Sequence, residues 1–440
     1  MTGAGMILAA PASGSGKTLV TAGLLRHLRQ CGIRVAAAKA GPDYIDPTFH
    51  ARASGAPCLN LDPWAMRPAT LAGLVRNLES TAELVLCEGV MGLFDGTGLG
   101  GEAGSTAELA HITGWPVVLV VDASGQGASI AAMVAGFARH DPRVPLAGVI
   151  LNRVASPRHR ALLSEAIARH MPNLPVLGIL PRDPSLALAA RHLGLVPAGE
   201  TQDAETLIDR AATQVATDFD TDSLLALARP SRCSDAPDTP GLLPLGQHIA
   251  VARDDAFLFA YEAMLAGWRR QGAELSVFSP LADEAPHPQA DAIYLPGGYP
   301  ELHAGRLAGA ARFLSGLRGA AAAGKAIYGE CGGYMVLGEV LTDAHGAMHR
   351  MAGLLPLATS FAAPRRHLGY RAARLLAAGP LGAEGARFRG HEFHYASIVA
   401  ESAADPLFAI GDANGADLGG AGLRHGSVAG SFIHLIDREA

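Results

Sequence analysis

Residues 7–18 read Ile7-Leu8-Ala9-Ala10-Pro11-Ala12-Ser13-Gly14-Ser15-Gly16-Lys17-Thr18 and run on into Leu19-Val20-Thr21-Ala22-Gly23-Leu24-Leu25. An apolar strand, a turn of small residues, Lys-Thr and then a helix constrain the fold more than any other stretch of the chain. Small residues let successive backbone N–H groups turn inward around an anion, and a helix starting near Lys17 adds its positive N-terminal end. Ser13, Gly14, Ser15, Gly16, Lys17 and Thr18 are therefore expected to cradle the phosphates of a nucleotide. Lys17 would reach the outer phosphates and the Thr18 hydroxyl would reach Mg²⁺. The motif asks for glycine at its first position, where this chain has Pro11. A Gly/Ser-rich turn without a ligand is the other reading of the stretch taken alone.

At 440 residues the chain exceeds what one hydrophobic core usually serves, so two domains are expected. Hydrophobic residues at 49%, charged residues at 17%, and 53 Gly with 28 Pro suit an α/β protein rich in turns. A formal net charge of −6 offers no general attraction for nucleic acid or an anionic membrane, and neither is expected as a partner. A polyanionic substrate would have to find a local basic site. The five cysteines, Cys31, Cys58, Cys87, Cys233 and Cys331, include no C-x-x-C pair, which suits a reducing compartment. No Lys or Arg precedes Met6-Ile7-Leu8, and no apolar run approaches a membrane span, so a cytoplasmic location is expected.

Beyond the first helix, Val35 to Ala38 forms a second short strand ending at Lys39. Alternating strands and helices build a parallel sheet whose ligands gather at the carboxyl ends of the strands. Gly41 to His50 contains two prolines and a glycine and is expected to be a rigid loop, presenting Asp43, Asp46 and His50 beside the nucleotide. Solvated loop carboxylates are the alternative. Leu84 to Cys87 is a buried strand with Glu88 leaving it, the position where such proteins hold Mg²⁺. Cys87, inside an apolar run, is expected in the core. Five glycines between Gly96 and Gly104 suit either a mobile cover or a flexible surface loop. Strands follow at Val117–Asp122, Gly148–Arg153 and Val176–Arg182, then one or two helices over 200–229, and Ser234 to Pro244 has the composition of a linker.

The second half restarts with strands at Ile249–Ala252, Glu274–Phe278 and Ala292–Leu295, the last running into Pro296-Gly297-Gly298-Tyr299-Pro300-Glu301. Strand Ala326–Tyr328 then leads into Gly329-Glu330-Cys331-Gly332-Gly333-Tyr334-Met335. A cysteine on a glycine-flanked turn between strand and helix is expected to be exposed as a nucleophile at the sheet edge, a buried structural cysteine being the alternative. Its place at a helix N-terminus is expected to lower the thiol pKa. A thiolate nucleophile needs a histidine, commonly from far along the chain. Of His367, His391, His394, His425 and His434, the stretch Ser431-Phe432-Ile433-His434 has the form of a strand ending in an imidazole.

Taken in order, the stretches KAGPDYIDPTFH (Lys39 to His50), EGVMGLFDG (Glu88 to Gly96), LPGGYPE (Leu295 to Glu301), GECGGYM (Gly329 to Met335) and GHEFHY (Gly390 to Tyr395) resemble the a,c-diamide synthases of corrin biosynthesis. The resemblance covers essentially the whole chain. It implies an α/β fold in two domains. Residues 1–234 would be a dethiobiotin-synthetase-like phosphate-loop sheet, 235–247 a linker, and 248–440 a cobyrinate-type class I glutamine amidotransferase domain with a flavodoxin-like sheet.

The implied chemistry joins two reactions. Cys331 would attack the glutamine carboxamide with His434 as base and later proton donor, while backbone N–H groups near Gly298 and Gly332 hold the oxyanion. The released ammonia would convert an acyl phosphate, made from a corrinoid carboxylate and ATP, into an amide. Thr18, Asp43 and Glu88 would bind Mg²⁺. Lys39, Tyr44, Asp46 and Asp95 would lie toward the corrinoid or the transferred phosphate, and Asn152 resembles an adenine-contacting asparagine. The resemblance leaves room for a homodimer. It also leaves open whether the macrocycle carries cobalt. Cobyric acid synthase, with the same two halves, is the near alternative, and a phosphate-loop switch ATPase the distant one. Most class I amidotransferases carry Glu two residues after the catalytic histidine, whereas Ile436 stands here; cobyrinate-type members also lack it, so the resemblance implies a dyad of Cys331 and His434 and leaves open what orients His434.

Overall fold

The computed structural model describes residues 3–98, 100–186, 190–191, 194–195, 203–233, 241–401 and 405–439. Contacts divide the chain into two compact units, one of residues 1–64 and 68–238 and the other of 65–67 and 239–440. Of the expected linker, residues 235–240 lie outside the described residues. Among the described residues no helix is long and apolar enough to cross a membrane.

In chain order the first unit contains β1 (Ala4–Ala9), α1 (Lys17–Gln30), β2 (Val35–Ala40), α2 (Asp46–Ser54), β3 (Leu59–Leu61), α3 (Pro68–Thr81) and β4 (Leu84–Glu88). There follow α4 (Thr106–Thr113), β5 (Val117–Asp122), α5 (Ser129–His140), β6 (Leu146–Val154), α6 (Pro157–His170) and β7 (Val176–Pro181). A ribbon of β8 (Ala190–Arg191) and β9 (Gly194–Leu195) precedes α7 (Ala204–Asp218) and α8 (Thr221–Leu227). The strands form a parallel sheet in the order β3-β2-β4-β1-β5-β6-β7. Such strands are buried on both faces, which is why β5 reads Val-Val-Leu-Val-Val rather than alternating with polar residues. Because β2, β4, β1, β5 and β6 are successive neighbours, Lys39, Glu88, the loop after Ala9, Asp122 and Asn152 meet at one carboxyl edge.

One expectation fails here. Residues 46–50 are not loop but the first turns of α2, with Pro47 in its opening turn. An N–H missing from that turn has no intrahelical acceptor to lose, so proline starts a helix as readily as it breaks one. The Gly96–Gly104 stretch has its ends joined by an isolated bridge, with the Thr97 N–H donating to the Ala103 carbonyl at 2.7 Å.

The second unit begins with β10 (His248–Ala252), α9 (Glu262–Arg270), β11 (Glu274–Phe278), β12 (Ala292–Leu295), α10 (Ala304–Gly309), α11 (Ala311–Ala322), β13 (Ala326–Glu330) and α12 (Gly332–Leu337). It continues with β14 (Val340–Thr342), β15 (Met348–Arg350), β16 (Leu357–Ser360), β17 (His367–Leu375), β18 (Arg387–His394) and β19 (Ser397–Glu401). The last strands are β20 (Asp405–Gly411), β21 (Asp417–His425), β22 (Val428–Ser431) and β23 (Ile433–Arg438). Ten strands form one mixed sheet in the order β11-β10-β12-β13-β22-β21-β20-β17-β18-β23, and a smaller sheet has the order β15-β14-β16-β19. Phe257, Phe313, Leu317, Ile327, Met335 and Leu337 are core residues of this unit. Two pairings matter for the chemistry: Glu330 faces Ser431 across β13 and β22, and His391 faces His434 across β18 and β23. Ser431 to His434 is therefore not one strand. The chain breaks at Phe432, and His434 is the second residue of β23.

Candidate active sites

In the first unit, left-handed backbone occurs at Gly14 and Gly16 of the loop but not at position 11, so the turn has no need of glycine where Pro11 stands. Ser15 closes the turn by donating its hydroxyl to the Ala12 carbonyl at 2.8 Å. Lys17, the first residue of α1, is buried and donates to the Met91 carbonyl at 2.7 Å. Burial pulls its pKa down from the usual lysine value, against the attraction of Glu88. Met91 itself adopts a left-handed backbone, with φ 46°. Asn152 donates from Nδ2 to the Ser15 carbonyl at 2.9 Å, so it braces the loop from the end of β6.

Lys39 is the centre of a buried charge cluster. Its ammonium is 2.7 Å from Asp46, 3.3 Å from Glu88 and 3.9 Å from Asp43, and it also donates to the Gly89 carbonyl. Glu88 accepts the Thr18 hydroxyl at 3.0 Å and is paired with His50. Burial alone would push Asp46 up, but Lys39 overrides it and holds this carboxyl at about 2. Burial and the neighbouring Asp46 push Asp43 well above the usual carboxylate range. The same carboxylates raise Lys39 above its ordinary value although burial opposes them. Thr18, Asp43 and Glu88 thus offer hydroxyl and carboxylate oxygens, the hard donors that Mg²⁺ takes, around a point where the protein already places a cation. Asp95 accepts the Gly92 N–H at 2.9 Å and shapes the turn beside Met91, and Tyr44 lies half-buried just before α2.

In the second unit Cys331 sits between β13 and α12 with φ 47° and ψ −101°, a strained conformation for a residue with a Cβ. The turn is tight enough that a Cβ on Gly333 would fall 2.0 Å from the Leu295 carbonyl oxygen, so glycine is required there. A Cβ on Gly297 would lie 2.4 Å from Cε1 and 3.3 Å from Nε2 of His434, and 3.4 Å from the Cβ of Cys331. Thiol and imidazole therefore flank one glycine, although 103 residues separate them in sequence. The Gly298 nitrogen lies 2.9 Å from where a Cβ on Gly332 would stand, which puts the two expected oxyanion donors side by side.

The expectation of a lowered thiol pKa is not met. Burial pushes the Cys331 thiol far above its usual value, Glu301 adds to the effect, and the Gly332 N–H only partly opposes it. Burial likewise lowers His434 to about 3, with His391 adding to the shift. A short helix N-terminus does not outweigh complete removal from water.

Glu330, immediately before the cysteine, is a functional candidate that sequence pattern alone does not mark. It is buried, accepts the Tyr294 hydroxyl at 2.7 Å and the Leu435 N–H at 3.1 Å, and lies 3.7 Å from Nδ1 of His434. Burial raises its carboxyl to about 7. The carboxylates downstream of His434 are engaged elsewhere: Asp437 takes Arg67 at 2.9 Å and Glu439 takes Arg389 at 3.1 Å. Within the GHEFHY stretch, Glu392 is held by Arg371 at 2.7 Å and His394 at 2.9 Å. Donor atoms of His367, Glu392 and His394 lie within 4.8 Å of one another, but the carboxylate already has these partners and the two rings stack in parallel. His425 is exposed on β21.

A phosphate-loop unit and a thiol–imidazole unit in one chain define a nucleotide-dependent glutamine amidotransferase. Residues 6–196 match the CobQ/CobB/MinD/ParA nucleotide binding domain, and residues 248–440 match the CobB/CobQ-like glutamine amidotransferase domain. The hydrogenobyrinate a,c-diamide synthase of Brucella anthropi is 57% identical over 435 residues, covering 98% of both chains. That of Rhizobium meliloti is 53% identical, covering 98% of this chain and 99% of its own. The enzyme of the same name from Mesorhizobium japonicum is 51% identical over 439 residues. The chain belongs to the hydrogenobyrinate a,c-diamide synthase family.

Proposed function

We propose that the chain catalyses ATP- and glutamine-dependent amidation of the a and c carboxylates of hydrogenobyrinate, a step of cobalamin biosynthesis. The observation that carries the reading is the end-to-end match, 98% of this chain and 98% of the relative, to a hydrogenobyrinate a,c-diamide synthase. A carboxylate is a poor acyl donor, so ATP must first convert it to an acyl phosphate, whose phosphate then leaves as ammonia attacks. Lys17 and the backbone of Ser13 to Thr18 hold the phosphates in this reading, with Asn152 toward the adenine. Thr18, Asp43 and Glu88 would hold Mg²⁺, which neutralises charge on the outer phosphates when bound. Lys39, Tyr44, Asp46 and Asp95 face the corrinoid or the transferred phosphate.

Ammonia comes from glutamine at Cys331. The thiol proton passes to His434, the sulfur electron pair attacks the carboxamide carbon, and Gly298 and Gly332 N–H groups stabilise the oxyanion. Collapse of that intermediate breaks the C–N bond as His434 returns the proton to the departing ammonia, and water then cleaves the thioester to glutamate. Five free cysteines suit a reducing cytoplasm as the place of work.

The test is incubation with ATP, glutamine and either hydrogenobyrinate or its cobalt-containing counterpart, with products read by mass. Two amidations of the metal-free macrocycle are expected; amidation of the cobalt form alone, or of other side chains, overturns the reading.

A further inference from the structure

A thiol–imidazole pair works only if the imidazole presents an unprotonated nitrogen to sulfur and stays put when it becomes charged. In many amidotransferases a carboxylate two residues after the histidine does this, and here that position is Ile436. Asp437 and Glu439 are committed to Arg67 and Arg389. The fold nevertheless brings one carboxylate to the back of the ring. The Cε1–Nε2 edge of His434 faces Gly297, which Cys331 also flanks, and Nδ1 lies 3.7 Å from Oε2 of Glu330.

We propose that Glu330 is the positioning residue for His434, completing a Cys331–His434–Glu330 triad in which the carboxylate comes from the residue before the nucleophile. Two features support it. Glu330 is anchored to the strand that carries the histidine, because its Oε1 accepts the N–H of Leu435, the next residue after His434. Its Oε2 is fixed from the other side by the Tyr294 hydroxyl at 2.7 Å, so neither oxygen can rotate away. A 3.7 Å separation is loose for a hydrogen bond, and catalytic hydrogen bonds commonly tighten only when substrate is bound. As the thiol proton moves from sulfur to Nε2, the Nδ1 proton stays on the ring and points at Glu330, which serves in its ionised form above about pH 7 and takes up no proton itself. The charged and titratable groups around the pair are Tyr294 on β12, Tyr328 on β13, His391, Glu392 and His394 on β18, and Glu301.

The proposal rests on the glutaminase reading, so glutamine hydrolysis by the wild-type protein and its loss in Cys331→Ala are measured first; their failure faults that reading and not the role of Glu330. Glu330→Gln keeps the shape and removes the charge: its amide oxygen can still accept the Leu435 N–H, and its NH₂ can donate to the Tyr294 hydroxyl, which turns to accept. We expect glutamine turnover to fall about 10²- to 10⁴-fold with little change in KM for glutamine. Ammonia-dependent amidation should be retained, and iodoacetamide alkylation of Cys331 should move to higher pH by about one unit or more. Glu330→Asp should recover part of the loss. Turnover within about threefold of wild type, or an unshifted alkylation profile, overturns the proposal. Should the variants fail to fold, ¹⁵N chemical shifts of His434 in the wild-type protein decide: the Nδ1–H tautomer is required, and the Nε2–H tautomer overturns it.

Discussion

At Lys39 the chain buries an ammonium among Asp43, Asp46 and Glu88, whereas at Cys331 it buries a thiol beside a neutral imidazole. Both sites are dry, yet they solve the cost of dryness in opposite ways. The first keeps a paired charge at its centre, with Lys39 and Asp46 held ionised by each other while Asp43 beside them is pushed toward its neutral form. The second keeps its reacting groups uncharged, with Cys331 and His434 both displaced toward their neutral forms. The difference matches the ligands each would meet. A polyphosphate with its cation can take over the partners of Lys17, Glu88 and Lys39, while glutamine is neutral where it reacts and calls for charge only as the thiol proton moves.

The comparison is broken most severely by Cys331→Ala. Glutamine-dependent amidation should fall by about 10⁴-fold or more, since one member of a concerted set costs nearly as much as all of them. Amidation with free ammonium salts should stay within about threefold, as sites that share no partner residues act independently. Loss of both activities would mean that the two regions are not separate sites. Lys17→Ala is the reciprocal cut: removing one preorganised cation from the phosphates should lower ATP-dependent turnover about 10²- to 10³-fold. Glutamate formation at Cys331 should be nearly unchanged. Phosphate release and glutamate formation, followed in the same sample, check both outcomes.

The smallest effect is on acid stability. Asp46 has its folded pKa depressed from 3.8 to about 2, so its contribution is fully present above the unfolded value and is lost as pH falls through the folded one. That shift corresponds to about 2 kcal/mol. Wild-type stability should therefore decline between about pH 4 and pH 2 through this carboxyl, and Asp46→Asn should flatten that decline in denaturant titrations at stepped pH. An unchanged slope would show that Lys39 is held by Glu88 and Asp43 without Asp46.

Much of this was legible from residues alone. The run at Val117–Asp122 matched an observed strand end to end, because a buried parallel strand is a short apolar run bounded by polar turns. The elbow at Cys331 was legible because only glycines tolerate so tight a passage from strand to helix. Asp46 to His50 reads as loop in the sequence and is helix in the fold, since proline has opposite meanings in the first turn of a helix and in its interior, and composition does not say which applies. The break at Phe432, splitting β22 from β23, was equally hidden.

The sequence by itself determined the local machinery: which turn can wrap an anion, which cysteine stands on an elbow, and which carboxylates end strands. Those features depend on backbone conformation and nearest neighbours along the chain. Tertiary structure alone decided the ionisation states and the company each group keeps. The pairing of β18 with β23 and of β13 with β22 brings His434 to Glu330 and Cys331, and the order of the parallel sheet brings Lys39 to Glu88. Burial and charge proximity are properties of three-dimensional distance. The same helix start that promised a reactive thiol therefore carries one that burial pushes toward its protonated form.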